Sequence, residues 1–398
     1  MTTTPVMRGF PPEMAQQVTL ANWRQPGFNR WAFHHVNEII PSASIPSEPR
    51  LLTPVEIHHE GRVRSVGFED GDGREWTLEN LLPAGCTDAF VVMRHGRIVH
   101  EWYDAGVDPR RPHIVFSVSK SLTGILAGIA ADRGLLDPEA PVTRYVPEAE
   151  GFAFGDCTVQ HVLDMTVSLE FDEDYPAADG PFSRYRQAMN WNPGPREGEP
   201  PDLRSFLLSL GKGRRPHGEV FHYASPSSDM LGWILERATG RRFADCFAEE
   251  IWQPLGAERD AYVTVDRLGA PRTAGGICAT ARDLALVGEM MRRRGTANGR
   301  QIVPGWCVDD ILSGGDVAAW AAGSYSGMPI TGPYRSQWYV ADAERGSFCA
   351  IGIHGQWLYI DPPADLVIVK LSSQPDAEDD ALDRLNLAAF AALADALT

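Results

Sequence analysis

Three stretches of the 398-residue sequence carry side chains whose types and spacing suit nucleophilic chemistry. The first is Phe116-Ser117-Val118-Ser119-Lys120-Ser121-Leu122. Ser117 and Lys120 stand at i and i+3, so a helix puts them on one face, one turn apart. A serine hydroxyl is a weak nucleophile and needs an adjacent base. A lysine withdrawn from water loses proton affinity and becomes such a base. Arginine stays protonated and cannot serve. Only three of the 36 basic residues are lysine: Lys120, Lys212 and Lys370. The pair alone is weak, because three lysines among 21 serines produce an S-x-x-K by chance in roughly one such sequence in six. Its competing reading is a helix-capping serine beside a solvated lysine. Its context, at the opening of an apolar helix that follows a β-hairpin, favours the chemical one.

The second stretch is His222-Tyr223-Ala224-Ser225, directly before a run carrying Met230, Leu231, Ile234 and Leu235. Tyr223 suits acid–base work if a neighbouring lysine cation lowers its pKa. Taken alone, a tyrosine there is more often a core or rim aromatic. The third is Gly352-Ile353-His354-Gly355-Gln356-Trp357, between two strands. A glycine-flanked strand end brings a backbone N–H close to substrate and helps build an oxyanion hole; the alternative is a tight hairpin turn. Other chemistries lack their signatures. There is no G-x-S-x-G elbow and no P-loop. The pairs His34-His35 and His58-His59 lack metal-ligand spacing, so no metal is expected. The six cysteines are scattered without a CxxC pair and read as free thiols.

The elements that must position these residues are legible as patterns. Runs at 88–94 and 97–103, joined by His95-Gly96, predict a hairpin. Val118, Leu122, Ile125, Leu126 and Ile129 recur with helical period from Ser117 to Arg133, with Gly124, Gly128 and Ala131 as a second, small-residue stripe, and Gly134 stands where a C-cap glycine belongs. Further helices are predicted over 31–40, 159–165, 203–210, 229–239, 243–252 and 281–294. Strands are predicted over 336–340, 348–353, 357–360 and 366–371; the last is nearly all apolar and so central in its sheet. A final amphipathic helix carries Leu382, Leu385, Phe390, Leu393 and Leu397. Strands near both ends with helices between predict an α+β fold. The body is expected to hold residues 1–114 and 279–398, with a helix-rich region over 115–278 and Ser117 at the junction, where pockets commonly form.

Composition narrows the function. Hydrophobic residues are 43% and charged residues 22%, ordinary for a globular chain and unlike a disordered one. The net charge of −17 offers no basic footprint for nucleic acid. No stretch approaches 18 consecutive apolar residues, so no membrane helix is expected. The start, MTTTPVMRGFPPEMAQQ, has no basic segment followed by an apolar one, so the expected compartment is the cytoplasm.

With the three stretches in this order, the sequence resembles the class C β-lactamase and penicillin-binding superfamily, and within it the 6-aminohexanoate-dimer hydrolases. The resemblance runs through Asn29–Phe33, Cys86–Phe90, Ser117–Leu122, Asp172–Tyr175, Thr280–Leu284, Gly352–Gln356 and Val367–Ser373. It implies a β-lactamase-like fold, with an antiparallel sheet flanked by terminal helices beside a helix-rich region. It implies Ser117 as the acylated nucleophile and Lys120 with Tyr223 as its acid–base partners. The N–H groups of Ser117 and Ile353 would form the oxyanion hole, and Tyr175, on a loop over the cleft, would assist a leaving amine. Arg186, Ala274, His354 and Trp338 would line the substrate site. The resemblance implies no cofactor. The partner is a small-molecule ester or amide; homodimerisation stays open.

Departures from the family pattern set the expected activity. Arg186 falls near a family aspartate that holds a substrate ammonium, and a cation there repels one. Ala274 stands for a family asparagine before Gly275-Gly276 and lacks its side-chain hydrogen bond. The third stretch has no K-T-G lysine, so β-lactam turnover should be poor. The expectation is a carboxylesterase for short acyl groups, with weak or absent cleavage of the aminohexanoate dimer. An acyltransferase using the same acyl-enzyme, and a non-catalytic protein that kept the fold, are the alternatives.

Overall fold

The computed structural model describes residues 6–49, 55–325, 328 and 330–398. Near the N-terminus the run expected as one helix over 31–40 is split into Asn29–Ala32 and a 3-10 turn, Val36–Glu38. The break is local: His35 folds back so that its Nδ1 meets the Trp31 carbonyl at 2.6 Å, and the two rings stack 3.9 Å apart. Strand β1 (Ser42–Ile45) follows, then the expected hairpin of β2 (Thr87–Arg94) and β3 (Arg97–Tyr103), then the short β4 (His113–Ile114).

Helix α1 (Val118–Asp132) is almost wholly buried, and Gly134 closes it at φ +69°. Its small-residue stripe lets it press against neighbours: a Cβ on Gly124 would strike the Ser336 carbonyl, and one on Gly128 would lie 2.6 Å from Cys307 Sγ. Helix α2 (Pro181–Ala188) and helix α3 (Ser225–Thr239) follow. α3 begins four residues before the expected Asp229, because Pro226 is at home in a first helical turn. The run expected as one helix over 243–252 passes at Ala248 from an α-helix into a π turn. Strands β5 (Ala261–Thr264) and β6 (Ile277–Ala279) and helix α4 (Ala281–Arg292) come next. The C-terminal strands are β7 (Tyr334–Arg335), β8 (Trp338–Asp342), β9 (Ser347–Gly352), β10 (Gln356–Asp361) and β11 (Leu366–Ser372); α5 (Asp380–Leu397) ends the chain.

These strands make two sheets. The larger is antiparallel in the order β7-β8-β9-β10-β11-β2-β3. Every residue of β11 is buried, which explains its unbroken apolar run. Val367, Val369 and Leu371 face the core beneath α1 and α4, whereas Leu366 and Ile368 face the core beneath α5. On that second face Phe390 of α5 packs on Trp357 and Tyr359, at 5.7 and 5.4 Å between ring centres. The smaller sheet runs β1-β5-β6-β4. Positions 114/115 and 278/279, the expected region boundaries, both fall at this sheet, which joins strands from either side of them. Helices Gly305–Ser313 and Val317–Ala321 lie beyond 278. The six cysteines are free, five of them buried. Among the described residues no helix is long and apolar enough to cross a membrane.

The interface of α4 with the sheet gives a test. A Cβ on Gly288 would collide with Val367 Cγ1 and lie 2.8 Å from Leu358 Cδ1. Gly288→Ala gains about 1 kcal/mol of helix propensity and loses about 1–3 kcal/mol to overpacking. The expected net result is a lower urea midpoint with an unchanged slope.

Candidate active site

The backbone makes a sharp turn into α1. Phe116 sits at φ +43°, a region that costs a non-glycine residue about 1–3 kcal/mol. It is held there by packing: its ring lies 4.9 Å from Phe33, 5.9 Å from Trp191 and 6.3 Å from Trp23. The turn leaves Ser117 at the head of α1, on the wall of two adjoining cavities of about 810 and 330 Å³. One helical turn on, Lys120 is 1% exposed. Its Nζ donates to Ser117 Oγ at 2.8 Å and to the Ala274 carbonyl at 2.8 Å. Burial lowers the Lys120 pKa to about 7; Arg272 pushes the same way, while Glu173 and Asp229 oppose. At neutral pH a large share of this amine is therefore unprotonated beside the serine.

Tyr223 completes the group. Its hydroxyl is in hydrogen-bond contact with Ser117, and Lys120 Nζ lies 4.9 Å from its ring centre. Its ring packs 5.2 Å from Tyr325. The sequence reading made an acid–base role conditional on a lysine cation lowering the Tyr223 pKa, and that condition is not met. Burial, with the Glu173 charge, raises the Tyr223 pKa above its ordinary value, despite the opposing pull of Ser117 and Arg272. The phenol stays protonated, and of the two groups only the lysine can lose its proton near neutral pH.

Ala274 lacks a side-chain amide, yet its backbone is fixed at both ends. Its N–H donates to Asp229 Oδ1 at 2.9 Å while its carbonyl receives Lys120. Asp229, buried on α3, also accepts from Arg272 and from the Tyr185 hydroxyl, and Arg272 Nη1 meets that hydroxyl at 2.6 Å. Removing one partner of such a buried pair leaves an uncompensated charge, at a cost of about 3–5 kcal/mol. Sequence reasoning missed this network. Its members lie on α2, on α3 and just before Ala274, and no local spacing joins them.

The third stretch forms a rigid corner. A Cβ on Gly352 would lie 2.6 Å from the Val115 carbonyl and 3.1 Å from the Ser117 nitrogen, so β9 meets the Ser117 segment backbone to backbone. Gln356 ties the corner down, its Nε2 donating to the carbonyls of Ile353 (3.2 Å), His354 (3.0 Å) and Ser372 (2.7 Å). Ile353 lines both cavities. His354, at φ +61°, lines the larger one, with Nδ1 bonded to the Gln374 carbonyl at 2.7 Å. Burial lowers its pKa to about 4, so it is neutral at pH 7.

Tyr175 also lines both cavities, and its hydroxyl donates to Glu173 at 2.6 Å. Glu173, a carboxylate on the larger cavity that the sequence reading did not single out, also accepts from the Ser225 N–H. Arg186 lines the larger cavity and donates to the Tyr175 carbonyl at 2.7 Å. Trp338 is a correction: it lines neither cavity, is wholly buried, and packs on Phe348 at 5.3 Å between ring centres. Side chains alternate along β8, so it is the next residue, Tyr339, that reaches the smaller cavity. As for a metal, ligand atoms of His34, Asp88 and His113 lie within 4.8 Å of one another. Asp88 already has a cation, since Arg30 Nε pairs with it at 2.9 Å, and Ser373 Oγ bonds it at 3.2 Å.

An amine poised on a serine hydroxyl in a dry corner, beside a protonated phenol, is equipped for acyl transfer. The comparisons agree with this geometry. The β-lactamase family model matches residues 86–392. The 6-aminohexanoate-dimer hydrolase of Paenarthrobacter ureafaciens is 39% identical over 369 residues, 93% of this chain and 91% of that protein. A Bacillus anthracis structure assigned to the 6-aminohexanoate-dimer hydrolases superposes with a TM-score of 0.87 at 29% identity, over 96% of this chain and 97% of that one. Esterase EstB of Burkholderia gladioli is 30% identical over 195 residues, 44% of this chain and 47% of that protein. The chain belongs to the β-lactamase family and is a serine hydrolase of the β-lactamase and penicillin-binding superfamily.

Proposed function

We propose that this enzyme cleaves carboxylic esters of short acyl groups through a covalent acyl-enzyme on Ser117. The observation that carries the reading is the 2.8 Å contact of a fully buried lysine, with a pKa near 7, on the serine hydroxyl. Lys120 takes the Ser117 proton as Oγ attacks the ester carbonyl. The N–H groups of Ser117 and Ile353 stabilise the oxyanion. Tyr223, kept protonated, passes a proton to the leaving oxygen and recovers one from Lys120. Water then attacks the acyl carbon and gives a proton to Lys120, the acyl carbon–Oγ bond breaks, Ser117 Oγ takes that proton back from Lys120, and the acid is released.

Two features support ester over amide cleavage. An amine leaves only if protonated, and the Tyr175 hydroxyl that would help is engaged by Glu173. Arg186, a cation on the cavity wall, opposes a substrate ammonium. Cleavage of the 6-aminohexanoate linear dimer, the reaction named for the Paenarthrobacter relative, is accordingly weak or absent.

Initial rates on p-nitrophenyl acetate and on the linear dimer test this directly. The ester is expected to turn over at least 100 times faster than the dimer, and Ser117→Ala to lower the ester rate by about 1,000-fold or more. Full activity in folded Ser117→Ala contradicts the assignment. Tyr223→Phe keeps the ring packing and removes only the hydroxyl, so kcat should fall by about 100- to 10,000-fold with little change in thermal midpoint. An unchanged kcat would remove Tyr223 from the proton path.

A further inference from the structure

Among the described residues three arginines line the larger cavity, and of these only Arg272 has a carboxylate partner, Asp229. Arg24 lies over the rings of Trp23 and Trp191, at 4.8 and 5.9 Å. Its guanidinium donates to the Trp191 carbonyl at 3.2 Å and to Asn192 Oδ1 at 2.6 Å. Arg186 lies 4.3 Å over Phe182 and donates to the Tyr175 carbonyl. Every acceptor that these two meet is neutral, and a guanidinium has five N–H donors. Among the described residues no carboxylate lies within 4 Å of either. Glu173 and Asp174 act on Arg186 from further away, and the remaining carboxylates on this cavity, Asp376 and Glu378, are exposed to solvent. The two cations also repel each other, and burial lowers the pKa of both, that of Arg24 to about 9. Two partly desolvated arginines with spare donors and aromatic walls form a receptor for an anion, and planar guanidinium matches carboxylate best.

Orientation follows from the second cavity. Tyr223, the proposed proton donor to the leaving group, lines the smaller cavity and not the larger. The leaving group therefore belongs in the smaller one and the acyl chain in the larger.

The geometry points to an acyl group that ends in a free carboxylate: Arg24 and Arg186 bind the second carboxylate of a dicarboxylic acid whose first is esterified at Ser117. This rests on the serine-esterase reading. The bonds are those of that reaction. Ser117 Oγ bonds the acyl carbon, the ester C–O bond breaks, the alcohol leaves with the proton, and water releases the dicarboxylate.

The test compares kcat/KM for the wild-type enzyme on p-nitrophenyl hexanoate, mono-p-nitrophenyl adipate and p-nitrophenyl 6-aminohexanoate. These acyl chains differ chiefly in whether they end in methyl, carboxylate or ammonium. The adipate ester is expected to exceed the hexanoate by about 10-fold or more and the ammonium ester to fall below it, with the adipate advantage shrinking as salt rises. In Arg186→Gln and in Arg24→Gln the adipate-to-hexanoate ratio should fall toward one. Reading a ratio within each variant cancels losses of active protein. Equal rates, or a preference for hexanoate or ammonium, overturn the inference. So does a carboxylate preference seen only on the leaving-group side, with 4-acetoxybenzoate against phenyl acetate. If p-nitrophenyl acetate is not cleaved and a fluorophosphonate leaves Ser117 unlabelled, the esterase reading itself has failed. If both succeed without a charge preference, this inference alone fails.

Discussion

The site depends on keeping one amine dry. A lysine in water holds its proton to about pH 10.4 and is no base at neutrality. Here the Lys120 side chain is drawn into the core, where burial outweighs the two nearby carboxylates and brings its pKa down to about 7. Such an amine needs polar partners, and it has two: the Ser117 hydroxyl and the Ala274 carbonyl. Much of the surrounding architecture serves to hold those two atoms in place.

The Ala274 carbonyl is fixed by a buried ionic cluster of Asp229, Arg272 and Tyr185, drawn from three separate parts of the chain. The serine is fixed by a strained Phe116 wedged among aromatic rings, and by β9, which only a glycine at 352 lets approach so closely. The large antiparallel sheet supplies that strand, and Gln356 locks the corner after it to β11. The same burial keeps the Tyr223 phenol protonated, so a group that can take a proton and one that can give it lie side by side, with Lys120 Nζ 4.9 Å from the Tyr223 ring centre.

What the sequence revealed follows from how local each feature is. Ser117 and Lys120 are one helical turn apart, so their pairing needed only the period of α1. The hairpin of β2 and β3, the buried run of β11 and the amphipathic α5 were legible from alternation and turn residues. Features made by distant contacts were not. Asp229 reads as an ordinary helix residue and Arg272 as one arginine among 33, until the fold brings them together. The condition set on Tyr223, a lowered pKa, fails because burial, which no spacing reports, raises it together with the Glu173 charge. Trp338 and Tyr339 show the limit within a strand: the segment was recognised, but a shift of one residue exchanges the core face for the site face. Ala274 was read through its missing side chain, whereas its backbone carbonyl is what the lysine uses.

The most direct measurement of the central claim is the rate at which a fluorophosphonate phosphonylates Ser117, with loss of fluoride, between pH 5 and 10, followed by intact-protein mass. This step requires only the serine and its base. Because the neutral amine is the active form, the rate should rise with pH, bend near pH 7 and stay level to pH 10, where the still-protonated Tyr223 adds no second rise. Lys120→Arg, whose side chain cannot lose its proton, should label at least 1,000-fold more slowly at pH 8. A flat profile, a bend near pH 10, or unimpaired labelling of the arginine variant would contradict a buried neutral lysine as the base.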